Sequence, residues 1–72
     1  MYKEGFASKL KSAREKTGFT QREVAKEIKI SHSTIANYET GRTEPDIENL
    51  GKLADFYGIS LDWLVGTRGH PE

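Results

Sequence analysis

The sequence contains no cysteine, so neither a disulfide bond nor a thiolate metal site can stabilise the fold. It has no apolar run long enough to cross a membrane, and the opening MYKEGFASKL lacks the apolar stretch of a signal peptide. With two histidines, no thiol and no glycine-rich phosphate loop, we expect no metal and no cofactor. These absences predict one small intracellular domain with a single core.

Catalysis is also not expected. Ser31, His32 and Ser33 bring hydroxyl groups beside an imidazole, which is the chemistry of a nucleophilic site. Consecutive residues of a helix point in diverging directions, so these groups cannot converge on one substrate atom. We therefore do not expect an enzyme.

Positive and negative side chains are equal in number, but they are unevenly distributed along the chain. The formal net charge is zero. Residues 1–42 carry nine Lys or Arg against five Glu, a net +4, and residues 43–72 carry two against six, a net −4. The pattern is compatible with an ordinary solvated surface. It is also typical of a basic face that binds a polyanion, with an acidic side turned away.

Glycine and proline divide the chain into five segments with helical spacing of apolar residues. Thr20 and Glu23 have the spacing of a capping box, and Gly18, Gly41, Gly58 and Gly66 are expected to end helices. No segment has the alternating pattern of a strand, so the sequence predicts an all-α fold. The predicted core consists of Phe6, Leu10, Val24, Ile28, Ile35, Tyr38, Ile47, Leu50, Leu53 and Leu64.

The third helix has an unusual surface. At about 100° per residue, Ile35 and Tyr38 face the core with Thr34 beside them. The opposite face has no acid and no large apolar side chain; its members are His32, Ser33, Ala36, Asn37 and Thr40. Small polar residues cost helicity, and exposed faces usually carry Lys and Glu instead. Either this is plain polar surface, or it binds a negative surface rich in hydrogen-bonding groups, as the DNA major groove is.

The spacing between the second and third helices favours the second reading. The second helix ends near Ile28 and Ser31 caps the third, so about three residues connect two short helices, as in a helix-turn-helix. Ala25 is small enough to let the two helices approach closely at their crossing.

The stretch TQREVAKEIKISHSTIANYETGRTEPD, residues 20–46, resembles the helix-turn-helix of the λ-repressor and Cro family, also called XRE-type. The similarity runs from about Phe6 to Gly66 and includes the closing SLDWLVG. It implies a compact five-helix DNA-binding domain over residues 1–66, with the helix-turn-helix at helices two and three. Residues 67–72 are expected to be a polar tail or the start of a linker.

The resemblance implies a role for each matched position. His32, Ser33 and Asn37 fall where base-reading residues lie in the family. Gln21 matches a glutamine that bonds phosphate and supports helix three, and Arg14 and Glu39 match an ion pair between helices one and three. Contacts to the DNA backbone, or positioning for them, are expected from Gln21, Arg22, Ser31, Thr34, Thr40, Arg42 and Thr43. Of these, Thr40, Arg42 and Thr43 are expected in the loop after helix three.

The family resemblance also implies partners and a location. It predicts a bacterial or phage-encoded cytoplasmic regulator of transcription, a repressor that occupies a near-palindromic operator as a homodimer. Candidate dimer contacts, each of which could equally be core, are Tyr57, Leu61, Trp63, Leu64 and Val65. The alternative is a protein-interaction module, such as an antitoxin-like domain with a protein partner. An exposed apolar patch would favour that alternative.

One position departs from the family pattern. The family usually has glycine in the turn between helices two and three, and this chain has Lys29. If the backbone there is left-handed, Lys costs on the order of 1 kcal/mol relative to Gly.

Overall fold

A computed structural model describes residues 5–65, and within this range the chain forms five α-helices and no strand. The prediction of an all-α fold with a helix-turn-helix at the second and third helices is confirmed. The helices are α1 (Phe6–Thr17), α2 (Gln21–Ile28), α3 (His32–Thr40), α4 (Ile47–Tyr57) and α5 (Leu61–Val65).

Side chains just before α2, α3, α4 and α5 cap their free backbone N–H groups. The Thr20 hydroxyl accepts a hydrogen bond from the Glu23 N–H at 3.1 Å, and the Glu23 carboxylate accepts one from the Thr20 N–H at 2.8 Å. This is the predicted capping box. Asp46 caps α4 through the N–H of Asn49 at 2.9 Å, and Ser60 caps α5 in the same way. Local chemistry therefore fixes where these helices begin.

The core lies where α1 and α2 pack against α3, and α4 and α5 close it from the other side. Its most completely buried side chains come from all five helices: Leu10, Val24, Ile35, Leu53 and Leu64. Each is large and apolar, and full burial of one such side chain contributes about 1.5–3 kcal/mol. The packing holds α3 against the domain on one face and leaves its other face outward.

Two predicted core residues behave differently. Ile47 is wrong as a core residue, because its side chain is 77% exposed. It is the first residue of α4, at a point along the helix axis that the core does not reach. Ile28 is only partly buried at the edge of the core. Ile30, which was not predicted, is buried in the turn before α3.

The candidate dimer contacts also differ in how deeply they are buried. Tyr57 and Leu64 are buried in the core, whereas Leu61 and Trp63 are 41% and 45% exposed. Val65 is partly buried against the core. The predicted helix end at Gly66, the tail 67–72 and His70 lie outside the described residues.

Candidate nucleic-acid interface

The face of α3 that points away from the core has the polar character predicted from the sequence. Ser33 and Thr40 are exposed, and His32, Ala36 and Asn37 are half-exposed. The side-chain amide of Asn37 makes no hydrogen bond with any of residues 5–65. Its donor and its acceptor are both available to a ligand, which is the requirement for bidentate reading of an adenine edge.

The first turn of α3 has no acidic residue to offset the positive end of the helix dipole. Ser31 caps the helix, and its hydroxyl accepts from the Thr34 N–H at 3.2 Å. The hydroxyl groups of Ser31 and Thr34 also lie 2.7 Å apart in a hydrogen bond. These two residues therefore shape the start of α3, and no acidic side chain of the first turn offsets the positive end of the helix.

The segment after α3 turns at Gly41 and stays close to Asn37 through backbone hydrogen bonds. Gly41 ends the helix in the left-handed region at φ 81°, where glycine is favoured. The backbone N–H groups of Arg42 and Thr43 then donate to the Asn37 carbonyl at 3.0 and 3.4 Å. Arg42 and Thr43 are exposed beside the face that contains Asn37. The family resemblance placed Thr40 in this loop, but Thr40 is the last residue of α3, as the helical pattern ending at Gly41 predicted.

Arg14 and Glu39 join α1 to α3 through a two-point ion pair. Arg14 Nε lies 2.7 Å from Glu39 Oε2, and Arg14 Nη2 lies 3.0 Å from Oε1. The Glu39 side chain is 1% exposed and that of Arg14 is 12% exposed. The hydrogen bond to Glu39 raises the pKa of the Arg14 guanidinium further above its ordinary value. The positive charge of Arg14 is therefore used inside the domain and is not offered to a ligand.

Gln21 joins α2 to the same carboxylate. Its amide Nε2 donates to Glu39 Oε1 at 3.0 Å. Through these bonds Glu39 ties α1, α2 and α3 together.

The Tyr57 hydroxyl is buried without a hydrogen bond to any of residues 5–65. Burial, with a smaller contribution from the charge of Glu39, raises the pKa of Tyr57 to about 12.

A second link fixes α4 to α3 and was missed by sequence reasoning. Asn49 Nδ2 donates to the Tyr38 hydroxyl at 3.0 Å. Tyr38 is a buried aromatic residue of α3, and buried tyrosine hydroxyls usually find a partner, but the sequence does not say which polar residue provides it. The bond links α3 to α4 across the loop that connects them.

The turn between α2 and α3 has left-handed backbone at Lys29, with φ 60°. Within residues 5–65 it is the only non-glycine residue with positive φ. Its side chain is exposed, as are those of Arg22 and Lys26 on α2. Together with Arg42, these cations lie on the surface of the helix-turn-helix without an ion pair to any of residues 5–65, whereas the partly buried Arg14 is neutralised by Glu39.

Across residues 5–65, no group of three or more His, Cys, Asp or Glu side chains is placed to hold a metal ion. The same range has no helix of sufficient length and apolar character to span a membrane.

Comparison with known proteins connects this geometry to one family. A family model described as helix-turn-helix matches residues 10–64. The HTH-type transcriptional regulator ImmR of Bacillus subtilis (strain 168) is 41% identical over 58 residues, which is 81% of this chain and 46% of that protein. The cryptic phage CTXphi transcriptional repressor RstR of Vibrio cholerae is 38% identical over 60 residues, 83% of this chain and 54% of that protein. The chain thus spans about half the length of these relatives.

Solved structures give the same result. The P22 c2 repressor, whose structure was determined in complex with a synthetic operator, superposes with a TM-score of 0.81 at 27% identity, covering 88% of this chain and 96% of that one. A transcriptional regulator from Listeria innocua superposes with a TM-score of 0.77 at 34% identity, covering 93% of this chain and 61% of that one. The resemblance drawn from residues 20–46 is confirmed.

Proposed function

The chain belongs to the helix-turn-helix family, and we propose that it binds double-stranded DNA sequence-specifically through α3 and regulates transcription as a repressor. The observation that carries this proposal is the outward face of α3. It has no acidic side chain exposed on it, and the amide of Asn37 is free of bonds to residues 5–65. Phosphates on both sides of a major groove would repel acids, whereas base edges pair with amide and hydroxyl groups.

Each residue of the interface has a separate role. Asn37, His32 and Ser33 read base edges in the major groove. Contacts that position the domain on the sugar-phosphate backbone come from Gln21, Arg22, Thr40, Arg42 and Thr43. Ser31 and Thr34 act by shaping the first turn of α3, because their hydroxyl groups bond to each other at 2.7 Å. Phosphate contacts set orientation and affinity, and base contacts set sequence preference.

The regulator acts as a homodimer on a near-palindromic operator, where the two α3 helices enter major grooves about 34 Å apart. The exposed Leu61 and Trp63 on α5 support this part of the proposal, because they are large apolar side chains outside the core. Occupancy of an operator that overlaps a promoter excludes polymerase and needs no chemistry, so no catalytic step is proposed. The regulator acts in the cytoplasm of a bacterial cell, where its DNA lies.

The same two residues support a second candidate, a protein-interaction module whose partner covers α5. The two candidates differ in whether the chain binds DNA by itself. Selection of bound sequences from a random duplex library separates them. The proposed function predicts enrichment of a near-palindrome with half-sites about one helical turn apart. A chain that enriches no sequence and binds no duplex even at low salt would overturn it.

A further inference from the structure

Glu39 holds three hydrogen bonds, two from Arg14 and one from Gln21, and its side chain is 1% exposed. An ionised carboxylate only accepts hydrogen bonds, whereas the glutamine amide has an NH2 group on one side and an oxygen on the other. The amide of Gln21 must therefore turn its nitrogen toward Glu39. The two hydrogen bonds from Arg14 fix the Glu39 carboxylate in place, and the carboxylate keeps the amide in this orientation.

Gln21 is the first residue of α2 and is half-exposed, in contrast to the buried carboxylate behind it. One of its two N–H groups is used by Glu39, and the other makes no hydrogen bond with any of residues 5–65. The free N–H lies on the nitrogen that Glu39 holds in place. Glu39 Oε1 accepts hydrogen bonds from both Gln21 Nε2 and Arg14 Nη2. The positive charge of Arg14 therefore balances the negative charge of the carboxylate next to the Gln21 amide.

We propose that Glu39 is a positioning residue for DNA binding: it orients the Gln21 amide so that Gln21 donates its remaining N–H to a DNA phosphate. The inference rests on the proposed function and extends it to the interior of the domain. A glutamine fixed in advance loses less side-chain freedom on binding than a mobile one. The Arg14–Glu39 pair thereby contributes to DNA affinity as well as to stability, without touching DNA.

The first test is a cycle of DNA-binding measurements on a mixed-sequence duplex at low salt. Gln21→Ala should weaken binding about tenfold, the loss of one hydrogen bond to a charged group. Gln21→Met, which keeps the volume of the side chain, should weaken it equally. In an Arg14→Met/Glu39→Met background, where the orienting carboxylate is gone, Gln21→Ala should weaken binding less than about threefold. Equal effects of Gln21→Ala in both backgrounds would overturn the proposal.

The second test uses the unaltered chain, so it holds even if the double methionine variant fails to fold. In the nuclear magnetic resonance spectrum of the free protein, one side-chain N–H of Gln21 should exchange slowly with water because it is bonded to Glu39. Addition of the duplex should shift the other N–H far more than the first. Exchange of both Gln21 side-chain N–H groups as fast as those of the unbonded Asn37 amide, or no shift of Gln21 on adding a duplex that binds, would contradict the proposal.

Different results reject the proposed function and the proposed role of Glu39. If the wild-type chain binds no duplex, the proposed function and the DNA role of Gln21 are both rejected. If it binds normally and Gln21→Ala has no effect, only the role of Gln21 and Glu39 is rejected.

Discussion

Replacement of Arg14 by alanine is expected to remove a large part of the stability of this domain. The Glu39 side chain is 1% exposed, so Arg14→Ala leaves a buried carboxylate without its charged partner. Breaking a buried pair in this way costs about 3–5 kcal/mol. At roughly 0.05–0.15 kcal/mol per residue, the whole domain is stable by only about 4–11 kcal/mol. The loss is therefore about a third of the stability at the upper end of this range and most or all of it at the lower end.

The size of the effect depends on the charge left behind, which a double-mutant cycle can show. Arg14→Met and Glu39→Met alone should each destabilise strongly, whereas the double variant should lie near wild-type stability, because apolar groups can replace a buried pair at little cost. Urea unfolding of the four proteins gives the coupling free energy between the two positions. We expect a coupling well above the range of about 0–1 kcal/mol that exposed pairs show.

The chain provides a matched control in Lys52 and Glu48, whose charged atoms lie 4.0 Å apart on the surface of α4, with side chains 41% and 76% exposed. Their coupling should not exceed about 0.5 kcal/mol. If the cycle at Arg14 and Glu39 gives a coupling as small as this control, the reasoning from burial is refuted.

Three further predictions concern single positions. Lys29→Gly should raise the free energy of unfolding by about 1 kcal/mol, because φ is 60° there, and Lys29→Ala should not; equal urea midpoints for Gly and Ala would contradict this. The pKa of Tyr57 is raised to about 12, so the unfolded chain loses the Tyr57 proton at a lower pH than the folded one. The free energy of unfolding should therefore fall by about 1–3 kcal/mol as pH rises from 10 to 12. Parallel unfolding curves of Tyr57→Phe should lack this loss. Ile47→Ser should change stability by less than about 0.5 kcal/mol because Ile47 is 77% exposed, whereas Leu50→Ala should cost about 2–5 kcal/mol; comparable losses in thermal unfolding would show that Ile47 is packed.

The helix boundaries could be predicted from the sequence because they depend on local chemistry. Thr20 and Glu23 form a capping box whatever the rest of the fold does, and Gly41 ends α3 because only glycine takes its backbone conformation easily. The outward face of α3 follows from helical geometry once its core side is known. Such features need information from only a few neighbouring residues.

Predictions failed where the outcome depends on how far the core extends. Helical spacing gives the direction of Ile47 but not its position along the axis, so it could not show that the side chain lies beyond the core. Ile30 was missed although a signal was present. It directly precedes the Ser31 cap and lies five residues before Ile35, the spacing of a hydrophobic staple, and both isoleucines are buried in the core.

Long-range polar contacts were only partly predictable. The pairing of Arg14 with Glu39 was expected from family resemblance, but composition and spacing alone do not bring residues so distant in sequence together. The hydrogen bond from Asn49 to Tyr38 could not be predicted, because several polar residues lie near enough in the sequence to donate to the Tyr38 hydroxyl. Such contacts are fixed by the packing of whole helices.

The central claim is that α3 reads bases through Asn37, while Arg42 holds the backbone. We would measure binding of Asn37→Ala and Arg42→Ala to the selected operator and to its single-base variants at several salt concentrations. Arg42→Ala should weaken binding to all sequences alike and reduce the salt slope by about one unit. Asn37→Ala should leave the slope nearly unchanged and cost about 1–3 kcal/mol on the operator, but much less on the duplex altered at the base pair it reads. Equal weakening of every sequence by Asn37→Ala would contradict the account.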